Sequence, residues 1–234
     1  MLKTLFVVSA NKNTGSGHIK RCILLSSQLK KKDFFFIGVK KQKYYKIDNN
    51  LNLEIKKFDK KSINKIKEIC KKFRINRIII DHTNINFEVQ KALYDKYFLT
   101  VFDNQQKINF IADVIINANP NAKIKDYSNR IKNKNTRLFL GNNFSLIELP
   151  LKKMKNSKPD SIFFCFGGGD DRKFILKFLK YAKKNNFDNF FKINLVVGPL
   201  NENFKRYRAY VNNNNLKNIK LYFNPKNIYE IMQK

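Results

Sequence analysis

Three consecutive isoleucines, Ile78-Ile79-Ile80, have few places to go in a folded chain. A strand with one wet face alternates apolar and polar residues, so a continuous β-branched run predicts a strand covered on both faces, as in parallel sheets. Short runs of the same kind recur, and segments with helical spacing separate them. Leu5–Val8 reads as a strand, followed by a glycine-containing turn and by Ile19, Ile23, Leu25 and Leu29 at about helical spacing. Phe34–Val39 predicts a second strand, and Ile63, Ile66, Ile69 and Phe73 mark a helix that is otherwise mostly Lys, Asn and Glu. A helix over about 87–94 and strands at Leu99–Phe102, Val114–Ile116 and Leu138–Leu140 complete this first series. Strands alternating with helices in this manner predict an α/β fold built on parallel sheets.

A polar, basic stretch with a proline at each end, Pro150 and Pro159, predicts an interdomain linker. The expected organisation is therefore a first domain over 1–149, a linker over 150–160 and a second domain over 161–234. The second series has strands at Ile162–Phe166, Ile193–Val197 and Leu221–Phe223, with helices over about 174–182, 203–211 and 228–232. Three strands make a small domain, so the second domain is expected to be incomplete at its C-terminus.

Charge needs weighing before any motif does. Lys and Arg total 48 against 18 Asp and Glu, a formal net charge of +30. Basic residues are spread along the whole length, and Lys is enriched together with Asn, Ile and Phe while Trp is absent. All four enriched residues have codons built of A and T alone, so base composition accounts for them jointly, and no specific nucleic-acid partner is expected. Cys22, Cys70 and Cys165 are far apart and in apolar surroundings, which reads as reduced core thiols of a cytoplasmic protein rather than a disulfide frame or a zinc site. The first apolar run, Leu2–Ala10, is too short to span a membrane and suits a first strand. No membrane association, cofactor, metal or obligate protein partner is expected.

Two glycine motifs follow predicted strands. Gly15-Ser16-Gly17-His18 lies between the first strand and the first helix, where glycines permit a sharp turn and helix N–H groups face an anion. A plain structural turn accounts for the same residues, because a dinucleotide fingerprint needs a further glycine that is absent. His18 at a helix N-terminus is disfavoured as imidazolium, and neutral imidazole is the form that takes a proton from water. The other histidine, His82, follows Asp81 at the carboxyl end of a strand, the edge where parallel sheets bind ligands; a turn residue satisfied by backbone is its plainer role. Asp81 and Asp103 both end strands and are candidates for an acid pair. The second motif, Gly167-Gly168-Gly169-Asp170, lacks the Lys-Ser or Lys-Thr of a P-loop but suits a diphosphate cradle. Asp170 and Asp171 suit helix caps or ligand contacts, capping being the ordinary role.

Taken in order, Gly15-Ser16-Gly17-His18-Ile19-Lys20-Arg21-Cys22, Ile79-Ile80-Asp81-His82, Phe102-Asp103, Asp113–Asn117 with Asn119, Asp126-Tyr127, Gly141 with Phe144-Ser145-Leu146-Ile147, and Phe166–Asp170 resemble the PseG family, the UDP-sugar hydrolases of pseudaminic acid biosynthesis. Their substrate is UDP-2,4-diacetamido-2,4,6-trideoxy-β-L-altropyranose. The resemblance implies a GT-B-like fold, two Rossmann-like domains facing each other across a cleft. It implies metal-independent attack of water with UDP leaving from the anomeric carbon, and His18 as the catalytic residue. It further implies substrate contacts from Gly15, Gly17, Arg21, Asp81, His82, Asp103, Asn119 and Tyr127, and nucleotide contacts from Gly167, Gly168, Gly169, Asp170, Phe223 and Asn224. The chain departs from the family at Thr83, where a Tyr is usual, and at Glu148-Leu149-Pro150. The family continues beyond the point matched by Lys234, with a Glu-bearing segment that helps hold the nucleotide. A glycosyltransferase of the same plan, a non-catalytic nucleotide-sugar-binding remnant and a basic nucleic-acid binder are the competing readings.

Overall fold

Parallel strands paired through crossovers account for nearly all the apolar runs. The computed structural model describes residues 2–11, 13–39, 46–104, 107–147, 161–169 and 171–233. In chain order the first series is β1 (Thr4–Val8), α1 (Gly17–Ser26), β2 (Phe34–Ile37), α2 (Lys60–Phe73), β3 (Arg77–Asp81), α3 (Phe87–Tyr94), β4 (Phe98–Phe102), β5 (Val114–Asn117) and β6 (Arg137–Leu140). These strands make one all-parallel sheet in the order β2-β1-β3-β4-β5-β6. The second series is β7 (Ser161–Cys165), α4 (Phe174–Lys184), β8 (Lys192–Val197), α5 (Phe204–Asn213), β9 (Ile219–Phe223) and α6 (Ile228–Met232). It forms a parallel sheet in the order β7-β8-β9. Both sheets are Rossmann-like, of the kind that a GT-B-like fold combines. The chain divides into two compact units, residues 1–10 with 18–148 and residues 11–17 with 149–234. The predicted linker, 150–160, lies outside the described residues.

Every residue of β1 is buried, and so are four of the five in β3, because helices cover both faces of the first sheet. Leu5, Val7, Ile78, Ile80, Leu99 and Val101 point to one side and pack with Ile66 and Ile69 of α2 and Val89 and Leu93 of α3. Phe6, Val8, Ile79 and Phe102 point to the other, with Ile19 and Cys22 of α1. Cross-strand partners Phe6 and Phe36 stack there with ring centroids 4.6 Å apart. The second unit repeats the scheme on a smaller scale, with Ile193, Leu195 and Val197 of β8 packed among Leu179 of α4, Tyr207 of α5 and Ile219 of β9.

Strand order is what places a site. From β1 the chain steps to β2 on one side, then returns to β3 on the other side of β1. Such a reversal opens a crevice beyond the carboxyl ends of the two strands flanking it, here β1 and β3. Two sequence expectations need correction. The strand predicted over Phe34–Val39 stops at Ile37, because Gly38 takes φ 96° and turns the chain. Cys22 and Cys70 are buried as expected, but Cys165 is exposed, since it ends an edge strand that only β8 flanks among the described residues.

Candidate active site

His18 is the second residue of α1 and Asp81 is the last of β3, so both stand at the crevice made by the strand reversal. Their approach to one another is close. His18 Nδ1 lies 2.6 Å from Asp81 Oδ1, with the His18 side chain 12% exposed and that of Asp81 fully buried. Arg21, one helical turn on, donates to both carboxylate oxygens through Nε and Nη2. Cys22 Sγ reaches Asp81 Oδ2 at 3.6 Å. Helix positions three and four residues apart share a face, so His18, Arg21 and Cys22 all face one carboxylate. Burial alone would push the Asp81 carboxyl up; hydrogen bonds from Arg21 and His18 outweigh it and hold the group below the usual carboxylate range. The Cys22 thiol is pushed well up, by burial first and then by Asp81, and stays protonated.

The turn before α1 is tied internally. Asn11 Oδ1 accepts from the backbone N–H of Asn13 at 2.9 Å and of Thr14 at 3.0 Å, and its carbonyl accepts from Gly15 N at 2.8 Å. Gly15 has φ 73°, a left-handed value that suits glycine.

His82 has another kind of environment. It is 3% exposed, its Nε2 donates to the Ile55 carbonyl at 2.8 Å, and its Nδ1 accepts from Asn84 N at 3.1 Å. Burial lowers its pKa against the opposing effect of that carbonyl, so the ring is a neutral, backbone-satisfied turn residue. Asp103 follows β4 and belongs to a second cluster. Its Oδ2 accepts from Tyr127 Oη at 2.7 Å and from Asn117 Nδ2 at 3.4 Å, and Asn117 Nδ2 also donates to Tyr127 Oη at 2.8 Å. Asp81 and Asp103, read from sequence as candidates for an acid pair, are thus bonded into different clusters. Asp103, Asn117, Asn119 and Tyr127 line one cavity of about 420 Å³ together with Lys107 and Arg130.

In the second unit, Gly167–Gly169 follow β7 and press against the loop after β8. A Cβ on Gly198 would stand 2.4 Å from both the Gly167 oxygen and the Gly168 Cα. Asp171 caps the following helix, accepting from Ile175 N at 2.6 Å, while its other oxygen takes Asn201 Nδ2 at 2.9 Å and Tyr207 Oη at 2.7 Å. Asp170 lies outside the described residues. Phe223 ends β9 and packs on Phe204 with centroids 4.9 Å apart; Asn224 takes φ 42° and donates its N–H to the Val197 carbonyl.

No protein-family model matches the chain. Over 236 residues it is 23% identical to the UDP-2,4-diacetamido-2,4,6-trideoxy-beta-L-altropyranose hydrolase of Campylobacter jejuni subsp. jejuni serotype O:2, an alignment covering 99% of this chain and 81% of the relative. The family resemblance read from the motifs holds. Two site residues escaped the sequence reading. Asn104 accepts from Arg21 Nη2 at 2.7 Å, and Arg130 lies over the Tyr127 ring at 4.9 Å. Asn104 follows the quoted Phe102-Asp103 pair and was within reach of that motif; Arg130 is one of 48 basic residues and carried no signal.

Proposed function

We propose that this chain hydrolyses a UDP-linked 2,4-diacetamido-2,4,6-trideoxy hexose, a step of pseudaminic acid biosynthesis, with His18 activating the water. The activity named for the Campylobacter jejuni relative supports the substrate class. One observation carries the assignment of the base: His18, bonded to the buried Asp81 carboxylate, stands at the crevice beside the strand reversal. Water attacks the anomeric carbon, the bond from that carbon to the phosphate oxygen breaks, and UDP leaves with the electron pair. The water proton passes to His18. UDP is a good leaving group, so placing and deprotonating water is most of what the protein must supply.

General-base assistance is worth about 10²–10⁴ in rate. His18→Asn keeps polarity and approximate size but takes no proton, so kcat should fall by about that factor while KM changes little, the lost interaction belonging to the transition state. UDP release is followed from the UDP-sugar with no acceptor present, with and without EDTA. Wild-type kcat in His18→Asn, or turnover abolished by EDTA, refutes the mechanism; release that requires an added acceptor hydroxyl makes the protein a glycosyltransferase.

A further inference from the structure

Resemblance to the hydrolases implies that Arg21 and Asp81 touch the sugar. Their geometry points elsewhere. The Asp81 side chain is fully buried, leaving it no surface to offer a ligand, and Arg21 is turned inward onto it. Arg21 is held from two further directions, by Asn104 Oδ1 at 2.7 Å and by the Phe102 ring, whose centroid lies 4.6 Å from the guanidinium carbon.

We propose that Asp81 and Arg21 are positioning residues: Asp81 keeps the His18 proton on Nδ1 so that Nε2 presents its lone pair to water, and Arg21 keeps Asp81 ionised for that task. This rests on the reading of His18 as the base. A neutral imidazole has one N–H, and which nitrogen bears it follows from the partner of the other. An ionised carboxylate only accepts, so the 2.6 Å contact requires hydrogen on Nδ1. Arg21 Nη2 also lies 3.2 Å from Nδ1, but it cannot donate to a nitrogen already carrying its proton, and the shorter contact decides. Among the described residues no hydrogen bond engages Nε2. A buried carboxylate without a cation tends to neutralise itself by taking a proton, and a neutral acid would donate to Nδ1 and move the imidazole proton to Nε2. Arg21 prevents this by two hydrogen bonds to the same carboxylate. Among the described residues, the titratable groups around His18 are Asp81, which ends β3, His82, which follows it, and Arg21 and Cys22 on α1, and of these only Asp81 accepts from the ring.

The test reads the tautomer directly. In ¹⁵N–¹H spectra of the full chain at neutral pH, with His18 signals assigned by their loss in His18→Asn, the wild-type ring should carry its proton on Nδ1. Asp81→Asn presents an amide N–H₂ to Nδ1 and should move the proton to Nε2. Its kcat should fall on the order of 10⁴-fold, the loss expected when the imidazole is held in the wrong tautomer, with KM for the UDP-sugar unchanged. Arg21→Met should raise the pH at which kcat falls on the acid side, and Arg21→Lys should recover part of that shift. A wild-type ring protonated on Nε2 overturns the proposal without any variant having to fold. So does Asp81→Asn with an unmoved tautomer, or with a raised KM and wild-type kcat, which would make Asp81 a sugar contact. Intact kcat in His18→Asn sinks the base reading itself and the positioning role with it, whereas a tautomer indifferent to Asp81 sinks the positioning role alone.

Discussion

Replacing Tyr127 with phenylalanine deletes one oxygen atom and tests what the second cluster is for. That hydroxyl donates to Asp103 Oδ2 at 2.7 Å and accepts from Asn117 Nδ2 at 2.8 Å. Tyr127, Asp103 and Asn117 are 1%, 6% and 7% exposed, so water does not readily replace what is lost. The ring keeps its packing on Phe110 and under Arg130, and the carboxylate oxygen keeps the 3.4 Å amide contact from Asn117. A hydrogen bond to a charged group contributes about 1.5–3 kcal/mol, so Tyr127→Phe should cost about 2 kcal/mol. For a chain of this length that is a fall in Tm of about 4–8 °C. The pH dependence sharpens the test. Burial, and then Asp103, raise the Tyr127 pKa above its ordinary 10.0. A raised folded pKa gives stability that is complete below the unfolded value and is lost as pH rises past it. The gap between wild type and Tyr127→Phe should therefore be constant to about pH 10 and narrow by up to about 1.4 kcal/mol per pH unit above it. Urea melts of both proteins between pH 8 and pH 11 measure this. Equal stability at pH 8, or a gap that does not close in alkali, refutes the account.

Two further outcomes are expected. Gly198→Ala puts a methyl group into backbone 2.4 Å away, with no flexible side chain to yield, so it should cost about 1–3 kcal/mol and weaken UDP binding in calorimetry if Gly167–Gly169 cradle the diphosphate; unchanged UDP affinity removes that turn from the nucleotide site. The charge of +30 should give only weak, sequence-independent nucleic-acid binding that collapses as salt rises, and filter binding that is tight for one sequence at physiological salt would overturn the base-composition account.

Where periodicity was strong, the elements were legible. Ile78–Ile80 predicted a strand buried on both faces and is the interior of β3; the helix read over about 87–94 matches α3. The stretch after β2 was not read at all, although it buries Ile55 and Phe58. It runs beside β2 through Leu51 N to the Phe36 carbonyl at 2.9 Å and Gly38 N to the Leu53 carbonyl at 2.5 Å, without forming a regular strand. The apolar alternation at 51, 53 and 55 was its one available signal. Composition misled at Cys165: apolar neighbours in sequence mean burial only where layers cover both faces of the strand, and an edge position is set by strand order, which local pattern does not encode.

The same gap between pattern and pairing governs the site. His18 and Asp81 each attracted notice, one beside a glycine turn and one at a strand end, but their union across 63 residues depends on β3 lying next to β1. A sequence with the order reversed elsewhere would carry identical motifs and no pair. Acids near the carboxyl edge of a sheet also invite a reading as ligand contacts, and three of them here have internal partners: Asp81 with Arg21 and His18, Asp103 with Tyr127 and Asn117, Asp171 with Tyr207 and Asn201. The two tyrosine clusters are alike, a buried acid bonded to one tyrosine hydroxyl and one asparagine amide, each tying down a loop at the carboxyl edge of its own sheet. Loops at that edge need fixed positions if a reacting group is to be held within a fraction of an ångström. Acids bonded within their own fold supply this rigidity, and under the function proposed above the atom that such an arrangement presents for chemistry is the outer nitrogen of His18.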